Sequence, residues 1–332
     1  MKPNLSIIAK ESGYSVPTVS RVLSGKVKGR SKSVDIILES AKKMGYNFVI
    51  PIYPNSILFP KVVLITKHYA EEFYSCLYEC CDRLSVEKDL DFHFLSIKYA
   101  NDVARAVKHA SYNSHGIILM IPSLNVDSYK AIKSSLPNFP IVNMAPSEDI
   151  LFNTVTHDSY HGGCLAAQCL MESGFTYFGI INGPMRKLEA NLRRSGFVDE
   201  LRKNGHDLKW EYHGNYSFLA GEKACLDFDQ KRIKKIGIFS TNDQMALGFI
   251  HTALEKGHKI PGDVGVVGYD NMPYGKIYYP RLTTVNTDLD QLCNIAFDTT
   301  IRLIKNPDER HDTIKTVLPV QLIKRSTHFY KT

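Results

Sequence analysis

From Lys61 onward the chain repeats one figure, a short apolar run of strand length followed by a stretch with helical spacing. The runs are Val62 to Thr66, Phe92 to Ile97, Gly116 to Pro122, Pro140 to Ala145, Tyr177 to Gly183, Ile236 to Ser240 and Val264 to Tyr269. Strands that alternate with helices pair in parallel, and the helices cover the faces of the sheet. About 270 residues take part, more than one core comfortably serves, so the rhythm predicts two α/β halves with a cleft between them. In such folds ligands sit outside the carboxyl ends of the strands, which directs the search for binding residues to the loops that follow the runs.

The first fifty residues are of another kind. They hold nine Lys and Arg against three Asp and Glu, while the other 282 hold 32 against 31. A charge run of this sort is often a solvated tail, but residues 4 to 46 carry helical apolar spacing and should fold. Asn4 or Ser6 can cap a first helix with Ile7, Ile8 and Ala9, and Gly13 suits the left-handed turn after it. Ser15 caps a second helix in whose first turn Pro17 is harmless, with Val19, Val22 and Leu23 as its buried stripe. A third helix starts near Ser31 or Ser33, carries Ile37, Leu38, Ala41 and Met44, and stops at Gly45. Together they make a helix-turn-helix with a supporting helix. Its second helix would lie in a major groove, with Val16, Pro17 and Arg21 outward. Arg21 can bond bidentately to a guanine edge, whereas Val16 and Pro17 offer apolar contact. Thr18, Ser20, Lys26, Lys28 and Arg30 would reach phosphates, which makes affinity fall with salt by about 0.9 log unit per contact per decade.

The residues Ile8-Ala9-Lys10 with Gly13, then Thr18-Val19-Ser20-Arg21-Val22-Leu23-Ser24-Gly25 and Ala41-Lys42-Lys43-Met44-Gly45-Tyr46, resemble the N-terminal domain of the lactose-repressor (LacI/GalR) family. The body agrees. His157-Asp158-Ser159 through Gly162-Gly163-Cys164-Leu165-Ala166-Ala167 is similar to the family's strand-Asp followed by a Gly-x-Leu-Ala-Ala helix. Asn182-Gly183-Pro184 and Arg193-Arg194-Ser195-Gly196-Phe197 follow, then Ser240-Thr241-Asn242-Asp243-Gln244-Met245-Ala246-Leu247-Gly248, Gly265 to Pro273 and Pro280 to Val285. With Leu318-Pro319 and Arg325-Ser326 the ordered set spans nearly the whole chain.

The resemblance implies a small all-α head on a two-lobed α/β core like that of periplasmic sugar-binding proteins. It implies a head at 1–46, a linker at 47–60 and a ligand-binding, dimerising core at 61–332. One lobe would take about 61–157 and 287–315, the other about 158–286 and 316–328. It implies a regulator, in the repressor mould, whose effector alters its affinity for double-stranded DNA, bound as a homodimer on a pseudo-palindromic operator. The family's effector contacts fall on Asp158, Arg193, Tyr216, Asn242 and Asp270, with Phe73 and Tyr74 as an aromatic pair facing them from the other half. That chemistry is coherent: a carboxylate accepts from vicinal hydroxyls, Arg and Asn donate in a fixed fork, and Tyr216 offers a flat face. It favours a neutral sugar-like polyol. Lys187 stands where purine-binding relatives carry an arginine, so a purine or nucleoside effector is the alternative; His115 departs from the family's usual residue before the strand glycine and settles nothing. Phe73 has a second reading as helix core with Leu77 and Leu84, and Asp270 one as a turn former before Asn271.

The linker departs from the family. Relatives that bend DNA place a short hinge helix there, with a leucine wedged into the minor groove. Here the segment is Asn47-Phe48-Val49-Ile50-Pro51-Ile52-Tyr53-Pro54-Asn55, with Phe48 in place of a proline and Asn55 in place of the wedge. Pro51 and Pro54 each lack a helical N–H, so an extended strap without a wedge is expected. Ile57, Leu58 and Phe59 are expected against the body.

The seven cysteines show no Cys-x-x-Cys spacing, which argues for buried thiols in a reducing cytoplasm and against zinc, with Cys80-Cys81 as a less favoured redox pair. No run approaches the roughly 20 apolar residues that span a bilayer. No phosphate loop, dinucleotide fingerprint or metalloprotease motif is present, and no cofactor is called for. His157, Asp158 and His161 are neighbours in sequence, but strand alternation turns them apart, so a hydrolytic site there is not expected. An exported sugar-binding protein without a DNA role would share the body but not the basic head.

Overall fold

The computed structural model describes residues 4–24, 27, 31–46, 48, 59–67, 71–98, 103–231, 233 and 235–328. The head folds from local signals. Asn4 accepts from the Ile7 N–H to open α1 (Leu5–Ser12), and Gly13 takes the left-handed turn with φ 75°. Ser15 accepts from the Thr18 N–H to open α2 (Val16–Leu23), with Pro17 in its first turn. α3 (Lys32–Lys43) closes the trio. Ile8, Val19, Val22, Leu23, Ile37 and Ala41 share one buried cluster, and Phe48, from the segment after the helices, is buried with them.

The core holds two six-stranded sheets. The first contains β1 (Lys61–Lys67), β2 (Asp91–Ile97), β3 (Gly116–Met120), β4 (Ile141–Asn143), β5 (Asn153–His157) and, from far along the chain, β11 (Lys315–Leu318). Its order is β11-β5-β4-β3-β1-β2, and every pairing is parallel. The second contains β6 (Tyr177–Asn182), β7 (Leu208–His213), β8 (Ile236–Ser240), β9 (Val264–Asp270), β10 (Thr283–Asn286) and β12 (Gln321–Ile323), ordered β12-β10-β9-β8-β6-β7. Among the described residues, only β12 runs antiparallel to its neighbour. Helices α4 (Glu72–Glu87), α5 (Val103–Ser111), α6 (Val126–Ser135) and α12 (Leu289–Lys305) pack on the first sheet. Helices α7 (Ser159–Glu172), α8 (Leu188–Lys203), α9 (Phe218–Lys231) and α10 (Asp243–Glu255) pack on the second, which also carries the short α11 (Pro273–Ile277).

The described chain passes between the sheets after β5, after β10 and after β11. The last passage falls at Pro319-Val320, so residues 316–318 belong to the first lobe and not to the second as expected, because Lys315–Leu318 pairs with β5. Phe59 is 63% exposed and does not pack against the body. The other calls on the strap, among them Pro51, Pro54, Asn55, Ile57 and Leu58, lie outside the described residues.

Candidate functional site

Two candidate sites follow. On the head, α2 turns Val19, Val22 and Leu23 inward and leaves Val16, Pro17 and Arg21 exposed, with Val16 40% accessible. Thr18 and Ser20 are half-buried. The Thr18 hydroxyl lies 2.8 Å from that of Ser15, so it serves the cap before it serves any phosphate. Lys26, Lys28 and Arg30 lie outside the described residues.

The second site is a cleft between the lobes, at the carboxyl ends of the strands, with ≈ 600 Å³ of space when the part open to solvent is counted. Of the seven residues expected there, Phe73, Tyr74, Arg193, Tyr216, Asn242 and Asp270 line it. Asp158 does not: its carboxylate caps α7 by accepting from the His161 N–H at 2.9 Å, and the lining residues are its neighbours His157 and Ser159. This correction has a simple cause, since an Asp just ahead of a helix meets the orphan N–H groups first. Asp158 thus bonds backbone, while the His157 ring faces the Asp288 carbonyl at 3.4 Å.

Arg193 projects from α8 across the face of Tyr269, 3.7 Å from its ring centre. It donates to the Thr241 carbonyl at 2.6 Å and forms an ion pair with Asp270 at 3.4 Å. α8 reaches this position because α7 approaches it closely at Gly163, where a Cβ would lie 2.1 Å from the Arg193 carbonyl oxygen. Burial pushes Asp270 up to about 7 despite the pull of Arg193. Burial also opposes the charge of Arg193, but Asp270, Tyr216, Tyr269 and Glu189 together outweigh it and hold the guanidinium protonated.

Asp270 ends β9 with φ 107° and is followed by Asn271 with φ 58°. Sparsely populated backbone of this kind persists where neighbours over-determine it. Here the fully buried Asp243 accepts from the Met272 N–H at 2.7 Å and from the Thr284 hydroxyl at 2.6 Å, clamping the turn. Asn242 caps α10 through Met245 and donates its amide to the Tyr216 carbonyl at 3.0 Å. Its main visible work is therefore to position Tyr216, which sits at φ 73° against Gly183, where a Cβ would fall 2.2 Å from the ring.

Several lining residues escaped the reading of the sequence. Lys187 was noted there only for its position; it is buried, with its Nζ 4.7 Å from the centre of the Tyr216 ring. Glu189 is buried two residues on, and Glu71 enters from the other lobe at the start of α4. Burial raises both carboxyls above their ordinary range. Glu189 Oε2, Arg193 Nε, the Tyr216 hydroxyl and Asp270 Oδ1 are buried without a hydrogen-bond partner. Buried polar atoms are nearly always paired, so a concentration of exceptions on one cleft wall marks a surface built to meet something. Met120, Pro122, Met144 and Leu292 line the opposite wall. Among the described residues, no group of His, Cys, Asp and Glu is arranged to hold a metal ion, and no helix is long and apolar enough to cross a membrane.

Comparison with known proteins gives this geometry a context. Residues 167–328 match the family described as periplasmic binding protein-like domain. The HTH-type transcriptional repressor PurR of Mannheimia succiniciproducens is 25% identical over 96% of this chain and 97% of its own length. The lactose operon repressor of Escherichia coli K12 is 24% identical over 98% of this chain and 91% of its own. Among solved structures, the lac repressor dimer bound to operator and the anti-inducer ONPF superposes with a TM-score of 0.71 at 22% identity, over 99% of this chain and all of that one.

Proposed function

We propose that this chain is a member of the LacI/GalR family and acts as a transcriptional repressor whose cleft binds a small sugar-like effector that alters its affinity for an operator. One observation carries the reading: a capped helix with an outward Val16-Pro17-x-x-x-Arg21 face stands on the same chain as a two-lobed cleft lined by Arg193 and Asp270. Arg21 reads a guanine edge, and the basic residues of the head neutralise phosphates. The protein acts as a homodimer, because two copies present two recognition helices to a pseudo-palindrome. Exposed apolar side chains on each lobe suit contact with a second copy: Tyr78 and Phe94, whose rings lie 5.4 Å apart, and Ile277 and Tyr279, 75% and 83% accessible.

An effector bound between the lobes shifts the equilibrium toward the arrangement it fits better. In this arrangement the Tyr274 N–H, on the second lobe, donates to Glu72 on the first at 3.1 Å, so the lobes already touch at the mouth. The repressor reading also makes the chain a non-enzyme: the cleft binds and releases its ligand unchanged.

The test has two arms. Selection of DNA sites from a random library, repeated at several salt concentrations, should return a two-fold symmetric site bound with a steep salt slope. Arg21→Ala should weaken the selected site by about 1–3 kcal/mol while leaving binding to random DNA nearly unchanged. Thermal-shift screening against sugars and nucleosides should then find a ligand that changes affinity for that site. An unselective, salt-insensitive head would end the regulator reading, and turnover of the bound ligand would make the protein an enzyme.

A further inference from the structure

The cleft carries more charge than a neutral polyol uses. Three carboxyls line it, Glu71, Glu189 and Asp270, against two cations, Lys187 and Arg193. His157 adds no charge at neutral pH, since burial pushes its imidazole down to about 4. Arg193 is engaged by Asp270 and by the Thr241 carbonyl. Glu71 precedes α4 at the capping position, yet its carboxylate makes no capping hydrogen bond. Glu189, in the first turn of α8, is more than nine-tenths buried, and its Oε2 has no donor. A buried acceptor left unpaired is destabilising, and more so when it is ionised. Beyond the effect of burial, Glu189 pushes Glu71 up and Lys187 and Arg193 pull both carboxyls down, which places them in one electrostatic neighbourhood spanning the two lobes.

We propose that the effector bears a protonated amine, seated against Glu189 and Glu71, on a hydroxylated body held by Arg193 and Asp270: an amino sugar and not a neutral one. The proposal rests on the reading of the cleft as the effector site. An ammonium brings three N–H donors where a hydroxyl brings one proton, and its charge offsets the surplus carboxylate. Because Glu71 comes from the first lobe and Glu189 from the second, one ammonium between them also draws the lobes together. A neutral sugar would bring no charge to offset the excess of carboxyls over cations lining the cleft.

The experiment is titration calorimetry on the full chain with glucosamine, galactosamine and mannosamine, each beside its neutral parent hexose, and with guanosine and adenosine. At least one amino sugar should bind about tenfold tighter than its parent, the difference between a charge-assisted and a neutral hydrogen bond. Glu189→Gln should bring that ratio close to one. A neutral hexose or a nucleoside bound as tightly as any amine, and lost in Arg193→Ala, overturns the amine while the effector site stands; no binding of any of them overturns both. Thermal melting of the ligand-free protein gives an independent reading. Glu189→Gln should raise the melting temperature, since a buried negative charge with an unpaired oxygen is removed, and a fall would mean that the fold itself satisfies Glu189 and that the proposal is wrong.

Discussion

The two walls of the cleft are built on different physics. The first lobe offers Tyr74, Met120, Met144 and Leu292, all members of the hydrophobic core beneath them, with Phe73 packed against it. Glu71 apart, that wall is the outer skin of a core and is satisfied without any ligand. The second lobe offers Lys187, Glu189, Arg193 and Asp270, held by a few hydrogen bonds and two positive-φ turns and left with unpaired polar atoms. Shape therefore comes mainly from the first wall, and selectivity mainly from the second, with Glu71 added from the first. Apolar contact tolerates an added hydroxyl, whereas an unpaired buried acceptor discriminates strongly between ligands that can and cannot meet it. Arg193→Ala should expose the difference most sharply. It leaves Asp270 buried without its counter-charge, a change that costs about 3–5 kcal/mol in comparable pairs. The low end is expected here because Asp270, already raised to about 7, can escape by taking a proton. Urea unfolding at pH 8 should show this loss together with the loss of any ligand effect, and a change below about 1 kcal/mol would mean that the second wall is as self-sufficient as the first.

Phe73→Ala is the matching cut in the apolar wall. The ring is half-buried, so the fold should lose little, while ligand binding should weaken by about 1.5–2 kcal/mol as apolar contact is removed. Melting curves and ligand titrations of the same sample separate the two effects. A large fall in stability with unchanged affinity would assign Phe73 to the core alone, as Leu77 and Leu84 are.

How far each region could be read from the sequence follows from where its causes lie. The head was legible because its signals are neighbours: Ser15 and Thr18, Pro17, and the Val19, Val22, Leu23 stripe settle α2 without reference to anything distant. The strands with continuous apolar runs were equally plain. β5, β7 and β10 were not among them, since Asn153–His157, Leu208–His213 and Thr283–Asn286 carry too many polar residues to stand out. In the cleft, Arg193 and Asp270 came from the resemblance and not from spacing. Glu189 looked like any acid in a first helical turn, and Glu71 like any residue before a helix. What makes them cleft residues is the rotation of α8 fixed by Gly163 and the meeting of two lobes far apart in sequence, neither of which periodicity encodes. Asp158 failed for the opposite reason, because a local capping bond claimed it first.

The ionic wall should also respond to pH where the apolar wall does not. Burial lifts Asp270 from its ordinary value to about 7 against the attraction of Arg193. The folded protein then holds a proton that the unfolded chain releases near pH 4, so this group's contribution to stability is present at low pH and is lost as pH rises from about 4 to about 7. The slope attributable to one such proton reaches about 1.4 kcal/mol per pH unit. Asp270→Asn should flatten the profile of unfolding free energy in that window relative to the parent protein. Profiles of equal slope would place the titration elsewhere in the molecule.

The smallest expected effect concerns how the walls are brought together. Glu72 is half-exposed and accepts from the Tyr274 N–H across the mouth of the cleft, so it contributes to this relative arrangement of the lobes and little to either lobe alone. Burial raises its carboxyl, while the bond to Tyr274 and the charge of Lys276 pull the other way. Glu72→Ala should therefore leave the melting temperature of the fold nearly unchanged and shift the balance of lobe arrangements by about 1 kcal/mol, the net worth of such a bond. If this arrangement is the one the ligand favours, affinity falls about fivefold, since a ligand must then draw more of the population toward it. Tighter binding in Glu72→Ala would mean that the contact holds the lobes in the arrangement the ligand must leave, and would reverse the direction of the switch.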